Sequence, residues 1–378
     1  MLLILLGITI LYVTLIGSFI FGFDKVASFE MTDVEAKHKF SVVIPFRNES
    51  ENLNALLASL ARLNYPKDKF EVLFVNDASE DNSEEVIHSF FKKKNQKRNF
   101  NYSILQNIQQ SNAPKKDAIT LAIATSKFDW IVTTDADCTV PEFWLDVIDA
   151  FIQQKKCDML VMPVGYQELN TFLKRFQALD MLSLQGSTIG AFGIKKPFMC
   201  NGANFAYKKG LFKKVDGFKN NNHMASGDDI FLLEKFLKQK KTSVKYLKNK
   251  KTLMFTKPED SFKLLVAQRK RWASKTGGYN NLFGKLTAIL VFIMNGALVC
   301  SPLLFFAHLI SLKAFLYFWL IKVSIDFLLL FKTSRFFEQE SLLSSYFFSS
   351  LLYPFFNVYI AITLVFSNYK WKGRQYKR

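Results

Sequence analysis

The sequence predicts an α/β fold, a doubly wound and mostly parallel sheet, accompanied by N-terminal and C-terminal transmembrane helices. Two observations predict it. Between residues 40 and 162, short β-branched or apolar runs alternate with amphipathic stretches, the pattern of strand, crossover helix and parallel strand. Near both ends of the chain, apolar runs reach the length needed to cross roughly 30 Å of hydrocarbon.

Residues 1–23 read as a transmembrane anchor. The run is apolar or small throughout, and it lacks the positive n-region and small-residue cleavage site of a signal peptide. Lys25, the first positive charge, follows it and favours a cytoplasmic location for what comes next. Residues 40–45 are expected as a strand. Residues 51–63 are expected as a helix, with Leu53, Leu56, Leu57 and Leu60 on one face. Strands at 70–76, 101–106 and 130–134 follow, with helices at 83–91 and 115–124. Sheets of this kind bind ligands at the C-terminal ends of their strands, which draws attention to the residues after Ile44, Val75 and Thr134. The stretch 165–285 is less regular, and the sheet domain is taken as 38–275. A membrane region at 286–366 contains three apolar stretches, 286–310, 314–331 and 344–366. A basic, aromatic tail occupies 367–378.

Composition narrows the function. Lys and Arg number 50 against 32 Asp and Glu, a net charge of +18 that suits anionic partners such as nucleotide phosphates or lipid headgroups. The 40 Phe lie mostly in the apolar runs, which points to lipid. Cys138, Cys157, Cys200 and Cys300 form no CxxC pair or Cys/His cluster, so neither a disulfide framework nor a zinc site is suggested. His is too scarce for a poly-His metal site. Nucleic acid is a poor partner, since no helix-turn-helix or RNA-binding motif is present.

Four constellations carry possible chemistry. Asp77 follows an apolar strand, where a carboxylate can accept hydrogen bonds from a nucleobase or ribose; an Asx turn or helix cap is the plainer reading. Asp135 and Asp137 form an Asp-x-Asp at another strand end. Such a pair can hold a hard divalent cation that bridges a diphosphate, or it is a solvated turn. Asp228 and Asp229 open an apolar helical stretch, either as helix-dipole partners or as a general base for an acceptor hydroxyl. Gln268-Arg269-Lys270-Arg271-Trp272 is either an interfacial basic-aromatic cluster or an indole platform beside a diphosphate-binding Arg.

Their order and spacing are more specific than any one of them. The series Ile44-Pro45-Phe46-Arg47-Asn48-Glu49, Asp77, Lys115/Lys116, Asp135-x-Asp137, Asn201-Gly202-Ala203-Asn204, Asp228-Asp229 and Gln268-x-x-Arg271-Trp272 closely resembles the family 2 glycosyltransferases of GT-A fold. It is similar in particular to the membrane-bound branch with the Q-x-x-R-W motif, which includes cellulose, chitin and hyaluronan synthases and ceramide glucosyltransferases. The resemblance covers residues 38–275, and Trp371-Lys372-Gly373-Arg374 adds to it.

The resemblance implies a nucleotide-sugar donor, a UDP-sugar in particular, and Mg2+ or Mn2+ as cofactor. It places Pro45 and Glu49 at the uridine, Asp77 on the base and Lys115 or Lys116 near the nucleotide. Asp135 and Asp137 would bind the donor diphosphate, with Asp137 the more direct metal ligand. Asn204 would line the sugar and acceptor pocket, and Asp229 would be the base, with Asp228 beside it where the family usually carries Glu. Gln268, Arg271 and Trp272 would close over diphosphate and acceptor. The reaction implied is an inverting transfer; the limited number of apolar stretches favours a single transfer to a lipid or envelope glycan, and nucleotide-sugar supply with Lys25 favours the cytoplasmic face of the cell membrane. A processive polysaccharide synthase and a non-catalytic carbohydrate-binding scaffold are the alternatives.

The C-terminal region carries a conflict. Three crossings after a cytoplasmic domain put the tail outside, yet Lys370, Lys372, Arg374, Lys377 and Arg378 favour the cytoplasm. Two effective crossings are therefore expected. The tail is then cytoplasmic, and the stretch that fails to span is 286–310, if it begins as an interfacial helix after the Gln268–Trp272 motif, the middle stretch with Lys322 and Asp326, or the last, if Pro354 breaks it into a re-entrant hairpin.

Overall fold

β1 (Phe40–Phe46) and β2 (Phe70–Asn76) form because nearly every position in them is buried and most are β-branched or aromatic. The computed structural model describes residues 1–92, 100–278, 280–366, 369–371 and 374–376. It separates into two units. One comprises Ala27–Gln167 and Met199–Lys257; the other comprises Met1–Val26, Glu168–Phe198 and Pro258–Arg378.

The first unit is built on a seven-stranded sheet. After β1 and β2 come β3 (Asn101–Gln106), β4 (Trp130–Thr133), β5 (Met159–Val161), β6 (Val164–Tyr166), β7 (Phe205–Lys208), β8 (Val244–Tyr246) and β9 (Met254–Thr256). The sheet order is β3-β2-β1-β4-β7-β5-β8, and β6 pairs with β9 apart from it. The β1–β2, β2–β3, β1–β4 and β5–β8 pairs are parallel, whereas β7 runs antiparallel to both β4 and β5. The order reverses at β1: β2 and β3 lie on one side, β4 on the other. Crevices for ligands open at such reversals, beyond the carboxyl ends of the strands. Helix Ser50–Ala61 buries Leu53, Leu56, Leu57 and Leu60, the face read from the sequence.

The second unit is helical: Leu2–Lys25, Phe172–Gly193, Phe262–Ser274, Leu282–Phe306, Leu312–Phe337 and Tyr346–Phe366. The sequence reading placed 38–275 in one domain, but helices Phe172–Gly193 and Phe262–Ser274 both belong here. Helix Phe172–Gly193 escaped the reading because it is buried on several sides and shows no clean polar face. Glycine lets it approach helix Leu2–Lys25 backbone to backbone. A Cβ at Gly190 would lie 2.4 Å from the Phe19 carbonyl oxygen, and one at Gly193 would lie 1.8 Å from that of Gly22.

Among the described residues, four helical segments are long and apolar enough to cross a membrane: Leu2–Lys25, Leu282–Phe306, Leu312–Phe337 and Glu340–Leu364. No C-terminal stretch is singled out as too short. Pro354, one of the three candidate breaks, sits inside the continuous helix Tyr346–Phe366. Lys322 and Asp326 do not interrupt their helix either. They pair at 3.0 Å, and the Tyr12 hydroxyl donates to Asp326 at 2.7 Å. Pairing removes most of the cost of placing charge among apolar helices. β10 (Tyr369–Trp371) and β11 (Arg374–Tyr376) form an antiparallel pair; Lys372, Lys377 and Arg378 lie outside the described residues.

The glycine contact yields a stability prediction. Gly190→Leu forces a side chain into the Phe19 backbone and should cost at least the ~1–3 kcal/mol typical of overpacking. Thermal unfolding of the detergent-solubilised protein measures it; an unchanged midpoint would show that the two helices are free to separate.

Candidate active site

In the sheet unit, the loops that follow β1 and β2 are clasped together. The Arg47 guanidinium donates to the carbonyl of Asp77 at 2.9 Å and to that of Ala78, and it pairs with Glu80 at 2.6 Å. The Asn48 side chain accepts from the Glu80 N–H at 2.8 Å, and the Glu49 N–H donates to Ser83 Oγ at 2.8 Å. Asn48 and Ala78 both adopt left-handed φ, 51° and 55°. Non-glycine residues in that region mark turns that their surroundings dictate. Pro45 lies in register with Val75 on β2. The Glu49 carboxylate is mostly buried and accepts from Asn52 at 2.8 Å. Asp77 is buried, with Oδ1 accepting from the Asn107 amide at 2.7 Å. The sequence reading named Pro45, Glu49 and Asp77 here, and missed Arg47 and Asn107 as the residues that fix them.

The two acidic motifs meet at a lysine. Lys115 Nζ lies 2.7 Å from Asp135 Oδ1 and 3.3 Å from Asp228 Oδ2. Pro114 starts the helix Pro114–Thr125, which sets Lys115 in its first turn. The Lys115 side chain is 19 % exposed. Burial opposes its charge, but the carboxylates of Asp135 and Asp228 outweigh burial and hold the ammonium above the usual lysine range. The two lysines of the doublet take different partners: Lys116 is fully buried and donates to the main-chain carbonyls of Asn221 and Met224.

Asp228 and Asp229 begin helix Asp228–Lys240, and Gly227 before them is left-handed at φ 86°. Asp229 Oδ1 accepts from the Ile230 N–H at 2.7 Å, and Oδ2 accepts from the Gly202 N–H at 3.3 Å. Thr133 Oγ1, at the end of β4, donates to the Gly202 carbonyl at 2.8 Å. The 202 turn thus ties the strand carrying the Asp-x-Asp to the second acidic pair. Gly202 suits this approach, since a Cβ there would lie 3.0 Å from Asp228 Oδ2.

Asn204 corrects an expectation. It was expected to line a pocket, but it is fully buried. Its amide donates to the Pro163 and Thr252 carbonyls at 2.8 and 2.7 Å, and its oxygen accepts from Trp144 Nε1 at 2.9 Å. It seals three segments inside the unit and presents nothing to a sugar.

Asp135 and Asp137 are both partly exposed and offer hard oxygen ligands. Among the described residues no group of three or more His, Cys, Asp or Glu is arranged to cage an ion. Mg2+ and Mn2+ fit such a site, since Mg2+ usually binds through one or two carboxylates plus phosphate and water. Asp135 Oδ1 is bonded to Lys115, and Asp137 Oδ1 accepts from the Cys138 thiol at 3.7 Å.

Gln268, Arg271 and Trp272 lie in the helical unit, on Phe262–Ser274. The sequence reading passed over Arg269, the buried residue of that motif. Its Nε lies 2.7 Å from Asp180 Oδ2, each side chain 7 % exposed, and its guanidinium stacks 4.2 Å from the Trp272 ring. Gln177, one turn before Asp180, bonds both the N–H and the carbonyl of Glu259. The Glu259 carboxylate in turn accepts from Gln268 at 2.9 Å. The signal was present in the sequence as polar Gln177 and Asp180 at i, i+3 within an apolar helix.

The model of glycosyl transferase family group 2 matches residues 130–366, and that of glycosyl transferase family 2 matches 41–216. The chain belongs to glycosyl transferase family group 2. Glycosyltransferase AglE of Haloferax volcanii is 26 % identical over 192 residues, which is 50 % of this chain and 58 % of that protein. The poly-beta-1,6-N-acetyl-D-glucosamine synthase of Staphylococcus epidermidis is 24 % identical over 180 residues, 46 % of this chain and 41 % of the synthase. The chain therefore spans about half the length of these relatives. Among solved structures, the mannosyltransferase PcManGT of Pyrobaculum calidifontis, in complex with GDP-Man and Mn2+, superposes with a TM-score of 0.57. That likeness covers 92 % of this chain and 99 % of the other at 14 % identity, and it shows the shared GT-A fold.

The Asp180–Arg269 pair gives a second prediction. Asp180→Ala leaves a buried guanidinium without its carboxylate and should destabilise the helical unit by about 3–5 kcal/mol. Replacing both residues by Leu should cost less than Asp180→Ala alone. Equal or greater loss in the double variant, by thermal unfolding, would mean that the pair is not the source of the penalty.

Proposed function

We propose that this glycosyltransferase moves a sugar from a UDP-sugar to a hydroxyl of a lipid or envelope glycan in one inverting step, at the cytoplasmic face of the cell membrane. The observation that carries the reading is the shared contact of Asp135 and Asp228 with Lys115, which draws the Asp-x-Asp and the Asp-Asp pair into one site. The clasped loops after β1 and β2 hold Asp77 where a nucleobase would rest at the strand ends.

The chemistry follows from these placements. Asp229 takes the proton from the acceptor hydroxyl, whose oxygen bonds to the anomeric carbon as the bond to the donor diphosphate breaks. The Gly202 and Ile230 N–H groups keep the Asp229 carboxylate in one orientation. Lys115 holds positive charge beside Asp135, toward the leaving diphosphate. Asp137, with Asp135, would hold a divalent cation, which when bound would supply further charge to stabilise that diphosphate.

The likeness to the Staphylococcus epidermidis synthase favours a second reading, repeated transfer onto a growing chain. Product length separates the two. Membranes containing the protein are incubated with UDP-sugars and with GDP-mannose, and the lipid extract is read by mass spectrometry. A single added sugar supports the first reading and a ladder supports the second. Transfer from GDP-mannose alone would overturn the UDP assignment.

Asp137→Ala should lower turnover by at least ~10²-fold, the scale of losing a main electrostatic stabiliser. Full activity in excess EDTA would exclude a metal requirement. Asp229→Asn keeps the shape of the side chain and removes the proton acceptor, so donor binding should survive while transfer fails. Transfer by this variant at the wild-type rate would move the base to another residue, Asp228 first.

A further inference from the structure

The segment between Lys214 and Asp228 contains no regular helix or strand, yet it delivers Asp228 and Asp229 to the site. It winds through four left-handed residues, Asp216, Gly217, Asn220 and Gly227. Such a segment leaves main-chain carbonyls that no ladder satisfies, and buried carbonyls need donors.

Two lysines supply them. Lys235, on helix Asp228–Lys240, donates to the carbonyls of Val215, Gly217 and Lys219 at 3.3, 2.6 and 2.8 Å. Lys116 donates to those of Asn221 and Met224 at 2.7 and 2.8 Å. Lys235 therefore gathers the first part of the segment, and Lys116 gathers the part nearest the carboxylates.

Lys116 is fully buried, an expensive place for an ammonium. Its Nζ lies 4.9 Å from the Phe231 ring centre and 5.9 Å from that of Phe218. Phe231 lies on the first turn of the helix that begins with Asp228. The cation thus contacts both the segment before the carboxylates and the helix after them. Packing alone would be met by Met or Leu, whereas bonding the Asn221 and Met224 carbonyls requires a donor.

We propose that Lys116 is a positioning residue for Asp228 and Asp229, a cationic clasp on segment 219–227 and not a nucleotide ligand. The catalytic consequence rests on the reading of Asp229 as the base. The clasp itself does not, and it is measured independently of turnover.

The test uses the full chain in detergent or nanodiscs, with Lys116→Met to remove the donor at similar volume and Lys116→Arg to keep the cation. Hydrogen–deuterium exchange reads the clasp directly. In Lys116→Met, amides 219–229 should exchange at least ~10-fold faster, while those of β1 and β2 stay as in the wild type. In transfer assays, kcat should fall ~10- to 100-fold with the KM for donor changed by less than about twofold. Lys116→Arg should recover most of both losses. Unchanged exchange over 219–229 overturns the clasp, and a raised donor KM in its place returns Lys116 to the nucleotide. Faster exchange with undiminished kcat overturns the positioning role. Asp229→Asn, measured alongside, judges the base separately: if that variant still transfers sugar, the base assignment falls while the exchange data still decide the clasp.

Discussion

The site depends on one cation. Asp135 and Asp228 approach a common point, one from just past the end of β4 and the other from a helix N-terminus. Carboxylates this close raise each other's energy unless positive charge lies among them. The Lys115 ammonium provides it, and the same two carboxylates keep it charged against its burial. The first turn of one helix thereby fixes how near the 202 turn and the 228–229 pair stand to the sheet. The Arg47 clasp at the other end is a looser counterpart, since its Glu80 partner is exposed.

Much of the sheet was legible in the sequence because buried strands leave a strong local signature. β1, β2, β3 and β4 all fall within a residue of where the apolar and β-branched runs place them. β7 was not legible: at four residues it is short, and its antiparallel setting is fixed by β4 and β5 on either side. The long helix Phe172–Gly193 was missed for a related reason. Its Gly190 and Gly193 face another helix backbone, and a glycine carries no hydrophobic periodicity.

The site was legible as motifs but not as geometry. Adjacent lysines on a helix point about 100° apart, so Lys115 and Lys116 look equivalent in sequence and take different partners in space. Asn204 shows the converse. A polar residue beside glycine in a loop reads as a ligand-facing group, yet its amide bonds two main-chain carbonyls and the Trp144 indole in the interior. Arg269 was masked by its own motif, where three more conspicuous neighbours drew the functional reading.

The Tyr12–Asp326 hydrogen bond joins residues 314 positions apart. A ribosome completes Tyr12 long before Asp326 exists, so the first helix must wait through most of translation with its phenol facing some other partner. Lys322 and Asp326, by contrast, emerge together and neutralise each other within one turn. The sheet unit is likewise made in two instalments, with a helix of the other unit synthesised between them. Assembly of the apolar helices is therefore a late event in biogenesis. A chain truncated before residue 312 would hold its N-terminal helix without the acceptor that Tyr12 uses in the finished protein.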